Sequence, residues 1–174
     1  MLRQLSQIIL PAVLRGAYYG VFHARMVYGI LVWGHSAVRV RVFGLQRRAV
    51  RIIAGLGYRA DVREAFRLVG VLTLPAAYIL ECVCYVHRHL DEYQSHYDLH
   101  DHNTRQRADI YPGHTRLTRG QTGINFYGIK YFNLLPQNVR DLEYRKFRNR
   151  IKQFLINGAF YSFEEVTLSM GDLQ

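Results

Sequence analysis

The chain has 174 residues, 49% of them apolar, and a formal net charge of +10. That length holds one ordinary domain or two small ones, and the apolar content excludes wholesale disorder. Two cysteines exclude a disulfide framework, and the best apolar run, Met26 to Gly34, is too short to span a bilayer.

Taken in chain order, Leu2 to Leu10 reads as a helix. Pro11 suits the first turn of a second helix that runs to about Trp33, weakened by Gly16, Gly20 and Gly29. A third helix is predicted from about Val38 to Leu56. On its wheel Val42, Leu45, Ala49, Ile52, Ile53 and Leu56 share one apolar face. Arg47 and Arg51 point the other way, Arg41 and Arg48 sit on the boundary, and Gly55 and Gly57 end the helix. Asp61 and Glu64 have capping-box spacing and open a short helix that stops near Gly70. Pro75 starts a helix to about Leu90 that is apolar on most sides. Such a helix is either central or has lost a partner. Residues 94–125 read as a long polar loop, a length that is usually functional or disordered. Helices over Asn125 to Leu135 and Glu143 to Ile156 follow, the second amphipathic through Tyr144, Phe147, Ile151 and Phe154. Ser162 with Glu165 caps a last short helix. No alternating strand pattern is convincing, so the fold class is mainly α.

Charge is localised. Residues 1–60 carry nine arginines and no aspartate, glutamate or lysine; the first acidic side chain is Asp61. Residues 61–100 carry −3, and 101–120 and 121–174 carry +2 each. An unopposed cationic surface attracts phosphates. A segment without carboxylates can neither bind a magnesium pair nor offer an Asp or Glu base. No secretory signal is visible, because Pro11 and Arg15 interrupt the early apolar stretch, and an intracellular, reducing compartment fits. A mitochondrial transit peptide also fits the arginine-bearing start. It ranks lower, because the same texture continues to residue 60 through core-like aromatic sequence.

The other candidate chemistry is thin. Cys82, Cys84, His87 and His89 suggest zinc, but on a helix the two cysteines lie about 200° apart and cannot share an ion. Two buried thiols are the better reading. His96, His100 and His102 share the polar loop without paired spacing. There is no phosphate loop and no nucleophile elbow, so no self-contained active site is expected. The basic helix is the sharper signal: Arg39, Arg41, Arg47, Arg48 and Arg51 can line a groove while their stems pack on apolar neighbours. A second set, Arg105, Arg107, Arg116 and Arg119, lies in the loop with Tyr111, Phe126 and Tyr127 nearby, as in single-strand binders. An anionic membrane surface is the rival partner.

Several strings, in order, resemble the end of a non-LTR (LINE, jockey-like) retrotransposon reverse transcriptase. They are Tyr28 to Gly34, Leu45 to Ile53, Tyr58-Arg59, Leu72 to Pro75, Glu81-Cys82, His102 to Arg105, Tyr131 to Pro136, Phe147 to Phe154 and Ala159 to Ser162. The family pattern is a YGIxxWG string followed by an LQKRAxRII helix. The resemblance covers nearly the whole chain. It implies a polymerase thumb and C-terminal tail, with the fingers, the palm and the endonuclease lying outside this sequence. Met1 is then an internal methionine or the start of a truncated copy.

On that resemblance, residues 1–34 join palm to thumb, 35–93 form a thumb-like helical bundle, 94–124 a polar loop and 125–174 a helical tail. The partners implied are an RNA and DNA template–primer and the missing fingers and palm, in a cytoplasmic and nuclear ribonucleoprotein. No membrane and no small-molecule substrate is implied. No cofactor is expected in this chain: magnesium belongs to two adjacent palm aspartates, and adjacent aspartates do not occur here. Arg41, Arg47, Arg48 and Arg51 are the expected phosphate contacts, with Arg39, Arg105 and Arg107 as further candidates. The alternative is a helical interaction module, or a decayed element copy with no present activity.

Overall fold

The structure, a computed structural model, describes residues 2–95, 109–113 and 123–173. It is mainly α, as the periodicity predicts, and no strand occurs among the described residues. Helix α1 (Leu2–Leu5) ends early. Helix α2 (Pro11–Ala17) continues through a π-helical turn (Tyr18–His23) into α3 (Ala24–Val27).

The long second helix predicted to run to Trp33 breaks here instead. Tyr28 turns extended, and Gly29, at φ 61°, leads into α4 (Ile30–Trp33). Only glycine takes that conformation without a Cβ penalty. The turn is held by the Trp33 indole, which donates to the Tyr28 carbonyl at 3.0 Å. At Gly34 a Cβ would lie 2.4 Å from the Tyr78 ring, so α4 sits directly on the central helix.

The remaining α-helices are α5 (Arg39–Ile53), α6 (Arg63–Val69), α7 (Leu74–Arg88), α8 (Ile124–Asn133), α9 (Gln137–Arg140), α10 (Tyr144–Gly158) and α11 (Phe163–Ser169). Helix α7 is the axis of the molecule. It packs on α8 and α10 and also meets α3, α4, α5 and α11. From Leu74 to Val86 only Glu81 and Tyr85 escape full burial. The apolar helix is therefore central and its partners are present. Each fully buried aliphatic side chain contributes roughly 1.5–3 kcal/mol. Thr73 caps α7 through the Ala76 amide and donates to the Phe160 carbonyl at 2.5 Å, tying the helix start to the end of α10. Cys82 and Cys84 are both buried, and burial pushes the Cys82 thiol up to about 12.

Two caps compare differently with the sequence. Ser162 accepts from the Glu165 amide at 3.2 Å, as expected, and Glu165 accepts from the Tyr161 amide at 3.0 Å. Asp61 and Glu64 do not form the expected box. Asp61 accepts from the amides of Val62 and Arg63 in a local turn, while Glu64 pairs with Arg67. Gly70, at φ 68°, ends α6 where expected.

Helix α5 departs most from its wheel. Its buried residues are Phe43, Gln46, Ala49, Val50 and Ile53, while Leu45 is 55% exposed. The inward face is rotated by roughly 70° from the apolar stripe, at 100° per residue. The cause is Gln46, which is fully buried and fully bonded. Its amide nitrogen donates to the Tyr18 hydroxyl at 2.9 Å and the Leu72 carbonyl at 2.8 Å. Its oxygen accepts from the Leu74 amide at 2.8 Å. A buried amide is tolerated only when satisfied in this way.

Replacing Gln46 with alanine strands the Leu74 amide and the Leu72 carbonyl, and is expected to cost about 2–4 kcal/mol in urea unfolding. Leu45→Ala, at the position the wheel assigns to the core, is expected to cost less than about 1 kcal/mol.

Candidate nucleic-acid interface

The rotation of α5 decides where its arginines go. Arg41, Arg48 and Arg51 line one groove of about 530 Å³, together with Gly44, Leu45 and Tyr58. Arg41 and Arg48 are exposed. Arg51 is half-buried, and its Nε donates to the Ala60 carbonyl at 2.9 Å, which fixes the guanidinium at the groove edge. Tyr58 is 78% exposed and offers a ring beside these cations.

Arg39 and Arg47 face elsewhere. Both line a smaller cleft against the start of α11, with Tyr161, Phe163 and Glu164. The Arg47 guanidinium lies 5.1 Å from the Phe43 ring centroid and 5.9 Å from that of Tyr161. Arg39 sits 5.0 Å above Phe163 and donates to the His35 carbonyl at 2.9 Å. The wheel sent Arg47 outward with Arg51 and left Arg41 and Arg48 at the boundary. The structure exchanges Arg47 for Arg41 and Arg48. Arg105, Arg107, Arg116 and Arg119 lie outside the described residues, as do His96, His100 and His102.

The charge of this region is not neutralised internally. Among the described residues the ion pairs join Arg63 to Glu165, Arg67 to Glu64, Arg140 to Asp109 and Arg148 to Glu81. None of them involves the nine arginines before residue 60. Screening at physiological salt acts over about 8 Å, so Asp61 and the acids beyond it weaken this field only locally. An arginine cluster of this kind can hold several phosphates through forked hydrogen bonds.

Three side chains that line these clefts, Tyr58, Arg3 and Arg25, carry no site role in the sequence reading. Tyr58 reads as a loop residue and gains a role only through its position beside Arg51. Arg3 and Arg25 line a second, apolar cleft together with Arg48 and Trp33. Their one sequence signal was membership of the acid-free block. Among the described residues no group of three or more His, Cys, Asp or Glu could hold a metal ion. No single helix among them is long and apolar enough to cross a membrane.

No protein-family model, curated protein or solved structure matches this chain.

His23 and His35 add a pH response. His35 stacks on Tyr127 at 3.7 Å and on Phe163 at 5.2 Å. Burial, then the charge of Arg39, holds its pKa below the ordinary 6.5. Burial, then Lys152, does the same for His23. The unfolded chain therefore protonates first on acidification. Their contribution is intact well above pH 6.5 and is lost as pH falls through the depressed folded values. The melting temperature is expected to drop between pH 7.5 and pH 5.5, and the drop is expected to shrink in the His23→Gln, His35→Gln double variant.

Proposed function

We propose that this chain is the thumb and C-terminal region of a non-LTR reverse transcriptase, and that α5 grips the backbone of an RNA and DNA template–primer. One observation carries the reading: Arg41, Arg48 and Arg51 converge on a single groove beside an exposed tyrosine, and among the described residues no carboxylate pairs with them. Arginine forks on phosphate give affinity without sequence choice, as a polymerase thumb requires. Tyr58 adds a face on which a sugar or an unstacked base can rest. The ordered strings of the resemblance support the same reading.

On this reading the chain does no chemistry of its own. Fingers and palm of the same polyprotein supply the catalytic aspartates and their magnesium, and the assembly works as an intracellular ribonucleoprotein in cytoplasm and nucleus. A second reading, a non-enzymatic interaction module, is favoured by a different observation. Among the described residues every exposed large apolar side chain except Leu68, Leu90, Leu134 and Leu168 lies before residue 60.

A salt titration of binding to an RNA–DNA duplex tests the duplex reading. Three phosphate contacts give a log–log slope of about −3. The Arg41→Ala, Arg48→Ala double variant is expected to bring the slope toward about −1, and Arg47→Ala to change it less than either single groove substitution. No binding at low salt, or a flat salt response, would refute the proposal.

A further inference from the structure

The cleft beside the groove has a different chemistry. It measures about 690 Å³, and its apolar lining is Leu2, Val21, Phe22, Met26, Val42 and Ile52, with Trp33 beside them. Val21 and Phe22 come from the π-helical turn, an element found often at functional sites. Arg3, Arg25 and Arg48 stand around it, and all three are exposed. The Trp33 indole N–H is already given to Tyr28, so the lining side chains offer no free donor besides the arginines.

We propose that this cleft is a docking site for an amphipathic helix of another polypeptide, one that carries acidic residues beside its apolar stripe. The apolar lining selects hydrocarbon, because a nucleobase or sugar laid on it would bury polar groups without partners. Three guanidinium groups around a lining without carboxylates select negative charge at the edges of whatever lies there. The mixture of Arg, Met, Phe and Trp is the composition of a protein interface centre. The cleft is open rather than enclosed, which suits the exposed side of a helix lying in a groove. A single acyl chain needs a pocket that covers most of its surface. A second copy of this chain is a poor occupant, since it carries +10 and its own first sixty residues have no acid to offer. The inference does not rest on duplex binding, because Arg3 and Arg25 lie outside the α5 groove.

Trp33 is the sole tryptophan, so its fluorescence reports this cleft directly. The probe is a synthetic helical peptide of about five turns with a leucine stripe, glutamate flanks and no aromatic residue. Titrated into the full chain, it is expected to produce a saturable blue shift. The same peptide with lysine flanks is expected to bind at least about tenfold more weakly. The Arg3→Glu, Arg25→Glu double variant is expected to lose the glutamate peptide and gain the lysine one. That exchange of preference cannot arise from unfolding. The proposal fails if the glutamate peptide gives no saturable shift, or if both peptides bind equally. It also fails if phosphatidylserine vesicles shift Trp33 while the peptide does not, or if the shift appears with protein concentration alone.

Discussion

Gln46 sits in the middle of a basic helix, and its side chain is fully buried. Three hydrogen bonds tie it to the Tyr18 hydroxyl, the Leu72 carbonyl and the Leu74 amide. These partners belong to the π-helical turn, the α6–α7 connection and the first turn of α7. One amide thus joins the opening segment to the central helix. It also fixes the rotation of α5 about its own axis. With Gln46 inward, Phe43 and Val50 follow it into the core, and Arg41 and Arg48 are turned to solvent.

The electrostatic consequence follows from that rotation. Beyond residue 60, arginine and carboxylate meet in ion pairs, three of which link distant segments, such as Arg148 with Glu81 at 2.7 Å. Among the described residues, no such pairing involves an arginine before residue 60. Two of the α5 arginines are instead absorbed by aromatic rings and carbonyls near α11, where they act as packing. Three are left around one groove. Arg48 lies on the shared edge between this groove and the apolar cleft, so a cationic surface and an apolar surface meet along α5. Among the described residues, most of the exposed large apolar side chains also lie before residue 60.

Much of the fold is legible in the residues. Pro75 marks the first turn of α7, Gly70 the end of α6 and Ser162 the start of α11, because each depends on local chemistry. The position of α7 is legible too, since a helix apolar on most sides has nowhere to go but the centre. The facing of α5 was not legible. Hydrophobic periodicity treats glutamine as a surface residue and leucine as a core residue. Only partners 26 and 28 residues away make the buried amide tolerable. The break at Gly29 escapes helical periodicity for a related reason: the left-handed turn depends on the Trp33 indole and the seat on Tyr78, both set by tertiary packing. Several strings that carry the family resemblance prove to be joints of the fold. Gly29, Trp33 and Gly34 set α4, Gln46 sets α5, Thr73 ties α7 to Phe160, and Asn133 exchanges hydrogen bonds with Ile110.

The rotation set by Gln46 places Arg41 and Arg48, rather than Arg47, in the groove that we propose meets a phosphate backbone. Arginine modification with phenylglyoxal, read residue by residue by mass spectrometry with and without an RNA–DNA duplex, tests both halves together. Arg41 and Arg48 are expected to react readily in the free protein and to be protected by the duplex, while Arg47 reacts slowly in both states. Duplex protection centred on Arg47, or unchanged modification of Arg41 and Arg48, would contradict the proposal.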